Sequence, residues 1–201
     1  MKMFVSKRNK TDQLLYIMNY TDIHDIQTLK ELIHSAIKNR LAELEPELAE
    51  FLKEEAILTG GAISSIFHRQ PVNDWDLYLS TDNAINSFKH YINSDSTFQK
   101  QVKDINPKYM VDTEIEGKMV TSNAVTLHNN VQVITMATKQ FRETFDYIHC
   151  MPWYELKTDT LYMSPQQWNA IKAKKLILNP KATNPPTLYR TQKYKERGWH
   201  E

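Results

Sequence analysis

The sequence predicts an α+β protein, a small mixed β-sheet core flanked by N-terminal and C-terminal helices. Three observations predict it. Apolar residues recur at helical spacing before residue 55, short apolar runs bounded by turn residues occupy 56–137, and hydroxyl and proline start signals for further helices follow residue 164. The chain has 201 residues, 41% of them hydrophobic, which suits one ordinary domain and excludes wholesale disorder. It contains only four glycines, and two of them, Gly60 and Gly61, are adjacent.

The first helix rests on Leu29, Leu32, Ile33, Ala36, Ile37, Leu41 and Leu44, with Asp25 or Thr28 as its cap. Pro46 ends or kinks it, and Leu48, Phe51 and Leu52 carry a second amphipathic segment. The run 56–59 is strand-like and stops at Gly60-Gly61; a helix is expected over 62–67, a strand over 75–79 and a helix over 81–93. Two further strands, 119–127 and 131–136, are expected around a turn at Asn129-Asn130. Ser164-Pro165 starts a helix through Trp168 and Ile171, prolines separate it from a last helix over 187–197, and Gly198 ends that helix. The expected organisation is a helical segment over 1–55, a core over 56–150 and a neck-like helical segment over 151–201.

Composition excludes several classes. No stretch approaches the roughly 20 apolar residues that span a bilayer. The N-terminus lacks the apolar segment of a secretory signal, so a cytoplasmic protein with no membrane partner is expected. The single cysteine, Cys150, excludes an internal disulfide; beside His149 it reads either as half of a nucleophile pair or as a small buried hydrophobe. There is no phosphate-binding Gly-x-x-x-x-Gly-Lys motif, no Gly-x-Ser-x-Gly elbow and no paired-histidine metal motif. The formal net charge of +1 hides an asymmetry: residues 41–55 hold six glutamates and one lysine, whereas 171–201 hold eight Lys/Arg and two glutamates. The basic end suits phosphates or nucleic acid, or is a solvated helix face.

The chemistry concentrates in 58–79. A strand running into Gly60-Gly61 and then a helix brings backbone N–H groups and a helix dipole to one place, which suits a phosphate, although a plain tight turn has the same pattern. In a strand, Asp74 and Asp76 fall on one face about 6–7 Å apart. Two such carboxylates repel each other, and a divalent cation relieves them; solvated aspartates on an exposed edge are the alternative. Trp75, Leu77 and Leu79 then face the core.

Gly60-Gly61-Ala62-Ile63 followed by Asp74-Trp75-Asp76-Leu77 resembles the signature of the polymerase-beta-type nucleotidyltransferase superfamily, most nearly the head of tRNA CCA-adding enzymes and bacterial poly(A) polymerases. Their pattern is Gly-Gly-Ala-Val-Arg-Asp and then, after a short interval, Asp-x-Asp. Asp146-Tyr147 resembles the Asp-Phe of a later motif, and 186–199, with Arg190 and Lys193, resembles a basic neck segment. The resemblance implies that Asp74 and Asp76 are catalytic and hold Mg²⁺ or Mn²⁺. It implies that Gly60, Gly61, Ser64 and Ser65 contact an NTP triphosphate, that Arg190 and Lys193 face base or phosphate, and that Asp146 reads the base or is structural. Departures accompany it. Ser64-Ser65 replaces Arg-Asp, Thr144-Phe145 replaces an arginine pair, and Gln132 stands where a third carboxylate is usual, with Asp112, Glu114 or Glu116 as substitutes.

The expected function is transfer of a nucleoside monophosphate from an NTP to a hydroxyl acceptor such as an RNA or tRNA 3′ end. The alternative is a catalytically weakened nucleotide- or RNA-binding module of the same fold. A chain this short and divergent suits a phage or mobile element, acting in the host cytoplasm; a toxin or regulator acting on host machinery is a further reading.

Overall fold

The computed structural model describes residues 25–94, 120–121, 123–135 and 144–201. Asp112, Glu114 and Glu116 lie outside these residues, as do the expected strand ends at Met119 and Met136.

Helix α1 (Ile26–Leu41) opens where Asp25 Oδ1 accepts the Thr28 N–H at 2.7 Å, and it buries Leu29, Leu32, Ile33, Ile37 and Leu41. Pro46 begins α2 (Pro46–Glu55), where its missing N–H costs nothing; Leu48 and Leu52 face inward and the glutamates mostly outward. Strand β1 (Ala56–Leu58) runs through Gly60 into α3 (Gly61–Phe67), and β2 (Trp75–Leu79) follows. Thr81 Oγ1 accepts the Ala84 N–H to start α4 (Asp82–Ser94). The strand expected over 119–127 is instead two, β3 (Val120–Thr121) and β4 (Ala124–Thr126), which pair antiparallel with each other. β5 (Val131–Ile134) follows the turn, in which Asn130 has φ 62°.

The sheet runs past residue 150, so the segment over 151–201, expected as neck-like and helical, holds two strands as well as two helices. β6 (Trp153–Glu155) and β7 (Thr160–Tyr162) form a hairpin that adds to β1, and Trp153 stacks on its cross-strand partner Tyr162 at 4.7 Å. Each strand is three residues long, too short for alternation to show in the sequence. The sheet order is β3-β4-β5-β2-β1-β6-β7; β2 and β5 are parallel and the other pairs antiparallel. The fold is therefore α+β with a mixed sheet.

Two cores hold it. The larger joins α1, α2 and α4 to the Trp75, Leu77 and Leu79 face of β2. The smaller gathers Tyr147, Cys150, Ile171, Leu176, Tyr194 and Trp199. It is built by α5 (Pro165–Lys172), begun by a complete Ser164–Gln167 capping box, and by α6 (Leu188–Glu196), capped by Thr187. Helix α6 lies across a shared cavity from the opposite, polar face of β2.

Candidate active site

A cavity of about 400 Å³ lies between the polar face of β2 and α6. Gly60, Gly61, Ser64 and Ser65 line one side of it, Asp74 and Asp76 its floor, and Asp146, Arg190 and Lys193 the wall across. The nine residues that the resemblance assigns to catalysis, cation and nucleotide therefore meet in one cavity, although they come from segments spread over more than a hundred residues.

The alternation of β2 sets the floor. Trp75, Leu77 and Leu79 are buried, while Asp76 and Tyr78 face the cavity. Asp74 immediately precedes the strand and is exposed, yet it lines the same space. Burial above all, and then the charge of Asp74, pushes the Asp76 carboxyl up to about 6, against the opposing pull of Arg190 and Lys193.

Gly60 has a more specific place than a loop beside a phosphate. Its φ is +77°, and a Cβ there would sit 2.8 Å from Asp76 Oδ2. The first glycine thus makes room for the carboxylate itself. The turn is pinned by Gly60 N–H donating to the Cys150 carbonyl at 3.1 Å and by Thr59 N–H donating to the Asp76 carbonyl at 3.2 Å. Ser64 and Ser65 are buried, and Ser64 Oγ donates to the Gly61 carbonyl at 3.0 Å, so that hydroxyl is engaged within its own helix.

Gln132 is the cross-strand partner of Asp76 on β5. Its amide nitrogen donates to Thr126 Oγ1 at 3.2 Å, which leaves the amide oxygen as the atom Thr126 does not engage. Among the described residues no group of three His, Cys, Asp or Glu surrounds a common metal position. The donor set on the floor is thus two carboxylates beside a neutral amide, which suits a hard cation such as Mg²⁺ that keeps part of its water shell.

The far wall is held by charge. Arg190 Nε lies 2.6 Å from Asp146 Oδ2, and Asp146 Oδ1 accepts the Tyr147 N–H at 2.9 Å. Arg190 also reaches the Cys150 sulfur and the Tyr194 hydroxyl. Cys150 is fully buried, its thiol pushed up to about 11 chiefly by that burial, so it fits the reading as a core residue rather than a nucleophile. His149 is buried, stacked 4.0 Å from Trp199, and neither ring nitrogen has a hydrogen-bond partner among the described residues; desolvation lowers its pKa to about 3.

Sequence reasoning missed Tyr78 and Phe145 as cavity residues. Tyr78 was findable, because it stands two positions after Asp76 and the strand period puts both on one face. Phe145 comes to the cavity only through the tertiary fold. Tyr189, within the basic segment 186–199, is exposed and lies outside the cavity lining.

The family model described as "Gad2: Gabija anti-defense 2 family protein" matches residues 25–174. A curated relative described as "Gabija anti-defense 2", from Bacillus phage SPbetaL7, is 29% identical over 164 residues, covering 80% of this chain. This chain spans 38% of the length of that relative. Among solved structures, a Thermotoga maritima CCA-adding enzyme in complex with tRNA aligns with a TM-score of 0.42 and 14% identity, over 70% of this chain and 35% of that one. A CCA-adding enzyme in complex with CTP aligns with a TM-score of 0.42 and 13% identity, over 71% and 35%. No described helix is long and apolar enough to cross a membrane.

Proposed function

Because this chain belongs to the Gabija anti-defense 2 family, with a model match over most of its length, we propose that its cavity gives it a function within that family: metal-dependent transfer of a nucleoside monophosphate from an NTP to a hydroxyl acceptor. The observation that carries the reading is the packing of Gly60 against Asp76 Oδ2 on a floor shared with Asp74, with the cations of α6 across the cavity.

The residues fit a divalent cation. Asp76 is a half-buried carboxylate whose proton affinity is raised by desolvation and by Asp74, so a cation held by the two relieves both desolvation and repulsion, with the Gln132 amide oxygen as a neutral neighbour. When bound there, such an ion neutralises phosphate charge and polarises the phosphorus under attack. The chain's own groups orient the substrate. Lys193 draws the triphosphate toward the floor, and Gly61, lacking a Cβ, leaves the backbone open to it. The acceptor oxygen bonds to the α-phosphorus, the α–β anhydride bond breaks, pyrophosphate leaves and the acceptor's proton passes to solvent. The anti-defense description of the relative supports an acceptor within host defence machinery, and an RNA or tRNA 3′ end is the other acceptor consistent with this chemistry.

The test is incubation with α-labelled NTPs, Mg²⁺ or Mn²⁺, and either total RNA or host protein extract. Wild type is expected to transfer label and Asp76→Asn to transfer none while remaining folded; equal transfer by both proteins removes Asp76 from the site. A second reading is favoured by Gln132, a neutral amide in register with Asp76. On that reading the chain is a nucleotide- or RNA-binding module, and wild type binds NTP without transferring label.

A further inference from the structure

The cavity has two zones. Around Asp74, Asp76 and Lys193 it is charged. Past Asp76 the floor becomes Tyr78 and its cross-strand partner Ile134, and Phe145 stands beside them, its ring edge-to-face with Tyr78 at 6.3 Å between centroids. An aromatic floor one strand repeat from a phosphate-directed carboxylate pair suits a flat, apolar-faced group attached to a phosphate.

Two groups at the edge of this zone that could read such a ring, Asp146 and Arg190, are already engaged with each other. Asp146 uses one oxygen for the Tyr147 N–H and the other for Arg190 Nε. Arg190 Nη2 turns the other way, toward the Cys150 sulfur and the Tyr194 hydroxyl. Turning either toward a ligand would break a partly buried ion pair.

We propose, resting on the nucleotide-site reading above, that the donor base is held by stacking on Tyr78 and Phe145, with the Asp146–Arg190 pair as a fixed wall rather than a reader, so that NTPs of all four bases are accepted alike. Stacking is indifferent to base identity because every base presents a π-face, whereas discrimination comes from hydrogen bonds that a wrong partner leaves unpaired. The chain is then selective for a nucleoside triphosphate as a class and permissive within it.

Equilibrium binding with Mg²⁺ tests this, using ATP, GTP, CTP, UTP and inorganic tripolyphosphate against wild type, Tyr78→Leu, Tyr78→Phe and Phe145→Leu. The four NTPs are expected to bind within about threefold of one another, as stacking without edge readout requires. Loss of the ring in Tyr78→Leu is expected to weaken all four by about tenfold, leave tripolyphosphate unaffected, and be rescued by Tyr78→Phe. Phe145→Leu gives the same pattern and carries the test if Tyr78→Leu does not fold. A preference of tenfold or more for one base overturns the proposal, as does a switch of base preference in Asp146→Asn. NTPs binding no tighter than tripolyphosphate overturn it too, while leaving the phosphate and cation site standing. Failure of both NTPs and tripolyphosphate to bind removes the underlying nucleotide site as well.

Discussion

The two walls of the cavity are made in different ways. The wall of β1, α3 and β2 is local: one strand, a glycine turn, a short helix and a second strand set Gly60 against Asp76 within a span of about twenty residues. The wall of residues 144–199 is made of distant pairs. Arg190 is fixed by Asp146, Tyr194 by Cys150, and Trp199 by His149. The local wall takes its geometry from backbone register and carries the groups suited to chemistry. The distant wall takes its geometry from side chains and shapes what those groups meet. Neutralising a carboxylate of the first should therefore damage chemistry at small structural expense, whereas removing one partner of a pair in the second should damage the fold first.

The largest expected effect lies in the local wall. Asp76→Asn should lower label transfer by about a hundredfold or more, the scale of losing one group that stabilises developing charge. Its melting temperature should be no lower than wild type, because a half-buried, desolvated carboxylate beside Asp74 is itself unfavourable. A large drop in melting temperature would show that Asp76 is a structural residue and break the comparison. Gly60→Ala comes next. It forces a side chain into φ +77° and against Asp76 Oδ2, and should cost on the order of 1–3 kcal/mol in chemical denaturation while weakening NTP binding. Normal stability and binding would mean the turn relaxes freely.

In the distant wall, Arg190→Ala strips the partner from an Asp146 side chain that is only 11% exposed, and should cost about 1–2 kcal/mol in the same measurement. The smallest effect has the opposite sign. His149→Phe keeps a ring in the stack and removes two nitrogens that have no hydrogen-bond partner among the described residues, so it should be neutral or stabilising by up to about 1 kcal/mol. It also carries a pH signature. His149 has a folded pKa near 3 against 6.5 when unfolded, so between those values the unfolded state binds more protons and wild type loses stability as pH falls. Melting curves from pH 7 to pH 4 should drop less steeply for the variant, and identical slopes would show that His149 finds a partner in solution.

This division explains what the sequence disclosed. The helix caps at Asp25 and Ser164, the strand over 75–79 and the Gly60–Asp76 spacing are local signals, readable from turn chemistry and period. The β6–β7 hairpin was not, because its three-residue strands carry no period and its turn passes through Asp159 at φ 50° rather than a glycine. Gln132 was legible as a neutral residue in an apolar run, but its place beside Asp76 depends on a parallel pairing across more than fifty residues. The Asp146–Arg190 pair was equally hidden, although both residues had been singled out separately.

The central claim is that the two walls together hold a nucleotide with its cation through Asp74 and Asp76. Titration of Mn²⁺ into the protein with and without a non-hydrolysable NTP, followed by the electron paramagnetic resonance signal of free Mn²⁺, tests it most directly. The account predicts that wild type binds Mn²⁺ more tightly when the NTP is present, and that Asp74→Asn/Asp76→Asn loses this while keeping its circular dichroism spectrum. Equal binding by the double variant, or no coupling between ion and nucleotide in wild type, would contradict it.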